Sequence, residues 1–142
     1  MAQFDAEMTA AIEADAIESY NTWKTNSTEG ERAAGLAYLE QMANEEFKNQ
    51  KMAEYTKMFS DADANGDGVL DEAEFRVFMA ATAVYARAEG HFVDDSEAKI
   101  QRSFALAQRV TPGVDGISMS DMIAPKAMYQ AKFNELKAAD GL

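Results

Sequence analysis

Cysteine is absent from this chain, and proline occurs only twice and histidine once among its 142 residues. Without cysteine, the fold cannot depend on disulfide bonds and the chain has no thiol nucleophile. The sequence also lacks a cluster of histidines, the serine elbow of hydrolases and a glycine-rich phosphate-binding loop. These absences predict that the protein is not an enzyme.

Positive charge is scarce as well, since 13 Lys and Arg residues stand against 25 Asp and Glu residues and leave a net charge of −12. Nucleic acids and anionic membranes repel such a chain, and no apolar run approaches the ~20 residues that cross a bilayer. The first residues, Met-Ala-Gln-Phe-Asp, lack the pattern of a signal peptide. We therefore expect a soluble cytoplasmic protein that binds neither nucleic acid nor membranes. The charge serves solubility, or it suits a basic peptide partner.

The composition favours helices, because proline is rare and Ala, Glu, Lys and Met are frequent. An apolar content of 47% is sufficient for a core. Thr28 and Glu31 have the spacing of a capping box at the start of a helix. The second predicted helix either ends near Asn49 or continues into the third. Apolar residues at helical spacing predict helices over about residues 3–24, 28–49, 50–61, 72–88, 97–109 and from 119 onward.

One twelve-residue segment carries a complete metal-binding pattern. Residues 63–74 read Asp-Ala-Asn-Gly-Asp-Gly-Val-Leu-Asp-Glu-Ala-Glu and match D-x-[DN]-x-[DN]-G-x5-E at every position. Ca²⁺ takes about six to eight oxygen ligands, and alternating side chains can converge on it only where the chain turns sharply, as Gly68 permits. The predicted ligands are the side chains of Asp63, Asn65 and Asp67, the carbonyl oxygen of Val69, Asp71 through a water molecule, and both carboxylate oxygens of Glu74.

This segment allows two other interpretations. A register that begins at Asp61 is excluded, because it places Gly68 at position 8, where an apolar residue is wanted, and Val69 at position 9. An acidic, glycine-rich surface turn without a metal is the other alternative. The ligands, the central glycine and the apolar spacing on both sides agree with one another, and this agreement favours the metal-binding interpretation.

The loop and its flanks resemble the EF-hand family. Before the loop, Tyr55 and Phe59 lie four residues apart, and after it Phe75, Phe78 and Met79 keep helical spacing. The resemblance implies a helix–loop–helix unit that binds one Ca²⁺, with Mg²⁺ as a competitor. It also implies that two such units pack together, each loop lending a short strand at position 8 to its neighbour.

The best candidate for a second loop lies at about residues 110–121. When Ile117 is aligned with Leu70, Asp121 falls on position 12, but the ligands needed at positions 1 and 3 are missing. We interpret this loop as degenerate, so that it pairs without binding metal. Two alternatives stay open, which are an ordinary turn between helices and a non-standard site formed by backbone carbonyls. Positions 1 and 3 carry Val110 and Pro112, and the non-standard site would use Asp115, Ser118 and Asp121.

These patterns predict an all-α fold in which an N-terminal helical hairpin at residues 1–49 packs on an EF-hand pair at residues 50–138. In calcium sensors, flexible methionines line a groove that opens when the ion binds. The alternative is that methionine fills an irregular core. The apolar stripe from Phe4 to Trp23 suggests that the hairpin occupies the groove as a built-in target. The candidate groove residues are Met52, Met58, Met79, Met119, Met122 and Met128.

The expected function is therefore that of an intracellular calcium-binding protein with one Ca²⁺ in the loop at residues 63–74. The leading hypothesis is a sensor that acts on a protein or peptide target through a groove lined by Met and Phe. The alternative is a calcium buffer, or a structural interaction module in which Ca²⁺ is a static staple. A sensor opens on binding, whereas a buffer or a stapled module barely moves.

Overall fold

Seven helices form the part of the chain that this computed structural model describes, residues 4–142. The predicted all-α fold class is confirmed, and the predicted start of the first helix at residue 3 lies outside the described residues. No helix within residues 4–142 has both the length and the apolar character needed to cross a bilayer. The helices are α1 Ala6–Asn26, α2 Glu29–Gln41, α3 Glu45–Ala62, α4 Glu72–Ala88, α5 Glu97–Val110, α6 Met119–Ile123 and α7 Lys126–Ala139.

The start of α2 is the predicted capping box. The backbone N–H of Glu31 donates to Thr28 Oγ1 at 3.1 Å, and the backbone N–H of Thr28 donates to Glu31 Oε1 at 2.7 Å. Each bond satisfies a backbone donor that a helix start otherwise leaves unpaired. A local sequence pattern was therefore sufficient to place this helix end.

The predicted end of α2 near Asn49, or its continuation into α3, is wrong. The helix ends at Gln41, and α3 begins at Glu45. The reason is a second cap, because the side chain of Asn44 accepts a hydrogen bond at 3.1 Å from the backbone N–H of Phe47. Asparagine is among the strongest N-cap residues, so it starts a new helix here.

The last predicted helix is broken near its start. The five-residue α6 ends at Ile123, and α7 begins at Lys126, immediately after Pro125. Proline has no backbone N–H to continue the hydrogen bonds of α6, but it is tolerated where a new helix begins. Two helices therefore occupy the segment for which a single helix was predicted.

The main core lies beneath the two loops, where α3, α4, α5 and α6 meet. Leu70 and Ile117 are fully buried, and Phe75 is 1% exposed. Burying a side chain of this size contributes about 1.5–3 kcal/mol. The buried members of this core are Phe59, Ala62, Leu70, Phe75, Phe78, Ala107 and Ile117.

Helix α1 packs along α7 and α5. Met8 and Ile12 of α1 form a second buried cluster with Leu106 of α5. Helix α2, in contrast, contains no buried residue. The first helix thus belongs to the side of the molecule that holds the second loop, while α2 lies at the surface. The division into a hairpin at residues 1–49 and a pair at residues 50–138 stays a prediction.

A buried ion-pair cluster ties α1 to α5. Asp15 is 5% exposed, and its two carboxylate oxygens lie 3.0 Å from Lys99 Nζ and 2.9 Å from Arg102 Nε. Lys99 Nζ also donates to Ser19 Oγ at 3.0 Å. A buried carboxylate is tolerated only when charges and donors of this kind surround it. The cluster therefore fixes the position of α1 on α5.

Candidate metal centre

The candidate loop begins where α3 ends and finishes inside the first turn of α4. Asp71 is the N-cap of α4, and its carboxylate accepts from the backbone N–H of Glu74 at 2.8 Å. In return, Glu74 Oε1 accepts from the backbone N–H of Asp71 at 3.1 Å. Two predicted ligands thus form a capping box, so the start of the helix positions both of them at one end of the loop.

Two glycines produce the sharp turn of the loop. Gly66 has φ of 68° and Gly68 has φ of 84°, in the left-handed region that residues with a Cβ rarely adopt. The backbone N–H of Gly68 donates to Asp63 Oδ2 at 2.9 Å, which folds the centre of the loop back toward its first residue. The predicted role of Gly68 in the turn therefore agrees with the backbone geometry.

Short hydrogen-bonded turns hold the middle of the loop. Asn65 Oδ1 accepts from the backbone N–H of Asp67 at 3.3 Å, and Asp67 Oδ1 accepts from the backbone N–H of Val69 at 3.1 Å. Such bonds between a side chain and the backbone two residues later are typical of Asn and Asp in turns. The three residues are thereby arranged in sequence around the turn.

A contact that the sequence analysis did not identify closes the loop. The backbone N–H of Ala64 donates to Glu74 Oε2 at 2.8 Å, so the first and last parts of the loop are joined directly. No side-chain pattern signals this bond, since any residue at position 64 except proline could make it. Glu74 thus has both carboxylate oxygens directed toward the loop.

The donor set fits a hard divalent cation. The ligand positions of the loop carry four carboxylates, one side-chain amide and a backbone carbonyl oxygen, and Ca²⁺ and Mg²⁺ both prefer oxygen ligands. Asp63 Oδ1 is buried and has no hydrogen-bond partner in the described residues. A buried acceptor without a partner costs about 1–3 kcal/mol, and more when it is charged. A cation bound within the loop would supply the missing partner.

The carboxylates do not converge on a single centre in this structure. Within residues 4–142, no three acidic or histidine side chains are grouped closely enough to hold an ion. The physical reason is that the loop carboxylates and the Asn65 amide accept backbone N–H groups instead. Ion binding therefore requires these side chains to rotate on a backbone that is already turned.

The last acidic residue of the second loop, Asp121, also forms a capping box, but it is more deeply buried than Glu74. Asp121 is 6% exposed, and its two oxygens accept from the hydroxyl of Thr111 at 2.7 Å and from the backbone N–H of Ser118 at 2.9 Å. The backbone N–H of Asp121 donates to Ser118 Oγ at 3.2 Å, which completes a capping box for α6. Both oxygens of Asp121, at the position that corresponds to Glu74, thus accept from neutral donors within the second loop.

The two loops are joined back to back by a single β-bridge. Leu70 pairs with Ile117, as the alignment of the two loops predicted. Gly116 comes so close to the first loop that a Cβ at this position would lie 2.7 Å from the carbonyl oxygen of Leu70, and its φ is 111°. Only glycine fits such an approach without a shift of the backbone.

This helix–loop–helix unit carries acidic side chains around a turn that contains glycine, and it pairs with a second loop. It therefore has the architecture of a calcium-binding unit. Comparison with protein families gives the same result, because residues 54–82 match the family model described as EF hand domain. The chain therefore contains an EF hand domain at residues 54–82, as the resemblance implied, and an EF-hand indicates calcium binding. No curated protein and no solved structure matches the chain significantly.

Proposed function

We propose that this protein is a cytoplasmic calcium sensor that binds one Ca²⁺ in the loop at residues 63–74. The observation that carries the proposal is the buried Asp63 Oδ1, which lacks a hydrogen-bond partner in a loop whose sequence supplies every oxygen ligand of the calcium-binding pattern. In the proposed site, Asp63, Asn65 and Asp67 bind through their side chains. Val69 binds through its carbonyl oxygen, Asp71 through a water molecule and Glu74 through both carboxylate oxygens.

The proposal includes one site and not two. Asp121 is the counterpart of Glu74, but Val110 and Pro112 stand at positions 1 and 3, where the first loop has Asp63 and Asn65. An ion there would have to displace the hydroxyl of Thr111 and would gain no carboxylate at positions 1 and 3. The second loop is therefore assigned a structural role, in which its bridge supports the first loop.

The proposed output is exposure of apolar surface between α3 and α4. Met58 and Met79 are partly buried and pack against the main core, so a change in the angle between the two helices would uncover them. Met52, in contrast, is 46% exposed already. The partner is a protein or peptide that docks on this surface.

In this proposal, helix α1 covers the second hand, which is formed by α5, the loop at about residues 110–121, α6 and α7, as a built-in target. It covers Leu106, Val110 and Met128, which belong to α5 and α7. The buried Asp15 cluster holds it there. The second hand then moves little when Ca²⁺ binds. The conformational change occurs in the first hand, which is formed by α3, the loop at residues 63–74 and α4. Deleting residues 1–25 would test this role, since unchanged stability together with no newly exposed apolar surface would contradict it.

A specific observation favours a second candidate, in which Ca²⁺ is a static staple or is merely buffered. The loop is already held by the capping box of Asp71 and Glu74 and by the bond from Ala64 to Glu74. Because the backbone of the loop is already turned, the ion would then add stability with little movement beyond the rotation of the ligand side chains. The two candidates differ in what moves when Ca²⁺ binds.

The decisive experiment is a ¹H–¹⁵N correlation spectrum of the full chain titrated with Ca²⁺ in a background of Mg²⁺. Ordering of the loop should move the amide of Gly68 far downfield. A sensor should also shift amides in α4 and α5, in particular across Phe75–Met79 and at Phe104. Shifts confined to the loop would favour the buffer or staple, and no shift at all would contradict calcium binding.

A further inference from the structure

The two helices of the first hand contact each other from the loop as far as Lys51 of α3 and the end of α4. Near the loop, the rings of Phe59 and Phe78 have centroids 6.0 Å apart, and those of Tyr55 and Tyr85, farther from the loop, are 5.8 Å apart. Farther still from the loop, Lys51 of α3 forms an ion pair with Glu89 at the end of α4. These contacts place α3 and α4 side by side and antiparallel, which is the closed arrangement of such a hand.

The ion pair is unusually well enclosed. The side chain of Lys51 is 7% exposed, and its Nζ lies 2.7 Å and 2.8 Å from the two carboxylate oxygens of Glu89. The ammonium also donates to the hydroxyl of Tyr85 at 2.6 Å. It lies over the rings of Tyr85 and Phe47, with centroid distances of 4.8 Å and 5.3 Å.

The surroundings keep Lys51 charged. Burial alone would lower its pKa, but the hydrogen bond to Glu89 and the negative charges of Glu89 and Glu54 outweigh burial and raise the pKa above its ordinary value. A buried charge of this kind depends on its partner, because the ammonium has given up most of its hydration. Loss of Glu89 would therefore leave the buried charge of Lys51 without its main charge partner, which is energetically unfavourable.

The ion pair lies far from the loop, so opening of the first hand would separate its two residues by a large distance. At 1.5 Å per residue, Lys51 lies about 16 Å along α3 from Ala62, and Glu89 lies about 22 Å along α4 from Glu74. A hand opens by swinging its helices about the loop, so these distant ends separate the most. The pair cannot survive that separation, since its bonds are shorter than 3 Å.

We propose that Lys51 and Glu89 form a latch that holds the first hand closed and opposes its opening by Ca²⁺. The proposal rests on the proposed calcium site for its effect on affinity, but the latch itself also acts without the ion. Ca²⁺ favours the open hand, whereas the ion pair exists only in the closed hand. The latch therefore lowers the affinity for Ca²⁺. Its removal should raise that affinity.

Calcium titration of two variants at Glu89 tests the latch. Glu89→Gln keeps the shape and removes the charge partner of Lys51, and Glu89→Lys adds repulsion at a position that is exposed enough to tolerate it. Matched controls are Glu46→Gln and Glu46→Lys, which make the same charge changes at an exposed position of α3. The latch predicts about fivefold or greater tightening of Ca²⁺ binding in the Glu89 variants only. Loss of negative charge by itself would weaken binding, so the two explanations differ in sign.

A distance measurement makes the test independent of calcium. Because the chain has no cysteine, Lys48→Cys and Ala88→Cys can carry spin labels at two exposed positions near the distant ends of the helices. The latch predicts that the distance distribution lengthens in Glu89→Lys and stays unchanged in Glu46→Lys, in the absence of Ca²⁺. Unchanged distances and unchanged affinity in folded Glu89 variants would overturn the latch. Failure of the wild-type protein to bind Ca²⁺ would instead overturn the proposed function and leave the distance result to decide the latch.

Discussion

Leu70 and Ile117 exchange both of their backbone hydrogen bonds, with N···O distances of 2.7 Å and 2.9 Å, and both side chains are fully buried. This single bridge makes the two loops one mechanical unit, although only the first carries a complete set of ligands. The bridge therefore gives a change in one loop a direct path to the other, beside the core that both loops share.

Gly116→Ala should break this coupling. A Cβ would lie 2.7 Å from the carbonyl oxygen of Leu70, and the φ of 111° is itself unfavourable for alanine. We expect a loss of about 1–3 kcal/mol in the free energy of unfolding together with weaker Ca²⁺ binding, measured by denaturant unfolding and calorimetry. Gly113→Ala is the matched control, because it has φ of 88° but no atom within 4 Å of the added Cβ. Equal losses in both variants would mean that strain alone, and not the bridge, matters.

Glu74→Gln should weaken Ca²⁺ binding by about tenfold or more, which corresponds to about 1.4 kcal/mol. The change removes a charged ligand while glutamine can still complete the capping box with Asp71. Calorimetric titration measures the affinity, and denaturant unfolding without Ca²⁺ shows whether the helix start is retained. Glu72→Gln is the control, since that side chain is 61% exposed and lies outside the ligand set. A near-wild-type affinity in Glu74→Gln would contradict the assignment of the site.

Asp121→Ala should destabilise the protein without changing the number of Ca²⁺ ions bound. The substitution leaves the hydroxyl of Thr111 and the backbone N–H of Ser118 without their acceptor, at a cost of about 1–3 kcal/mol. Thr111→Val removes one of the same bonds and should cost less. Calorimetry gives the stoichiometry and thermal unfolding gives the stability. A drop from two bound ions to one would show that the second loop is a working site.

Asp15→Asn should loosen α1. The variant leaves Lys99 and Arg102 facing a neutral amide in a buried place, and we expect a loss of about 2–3 kcal/mol in the free energy of unfolding. Glu18→Gln provides the comparison, because Glu18 is 63% exposed and lies 3.7 Å from Arg102. Its effect should be close to zero. Similar stabilities of the two variants would argue against the anchoring role of Asp15.

Stability at high pH should depend on Tyr20. Burial first, and then the hydrogen bond and charge of Asp140, raise the pKa of Tyr20 from 10.0 to about 12. The folded state therefore holds this proton more tightly than the unfolded chain, so its stabilising contribution is complete below pH 10 and is lost as the pH rises toward 12. Unfolding experiments across this range should show a smaller loss of stability in Tyr20→Phe than in the wild type. A parallel decline in the two proteins would exclude Tyr20 as the cause.

Local patterns predicted the first loop and several helix ends because the relevant interactions join residues close in sequence. The capping box of Thr28 and Glu31 spans three residues, and every side-chain ligand of the proposed site lies between Asp63 and Glu74. The cap at Asn44 is equally local, but the apolar spacing from Leu36 to Phe47 predicts one uninterrupted helix across it. The alignment of Ile117 with Leu70 came from the resemblance between the loops, and the bridge confirms it.

The sequence by itself determined that the chain is helical and that it carries one acidic loop that supplies oxygen ligands and turns at glycine. Both properties depend on the chemistry of residues that are neighbours in the chain. Only the tertiary structure decided which distant charges meet. Asp15 is paired with Lys99, and Lys51 with Glu89. It also decided that α1 packs on α5 and α7. The physical reason is that an ion pair leaves no periodic trace along the chain. Its partners are selected by which helix faces become buried together, and that is a property of the packed molecule.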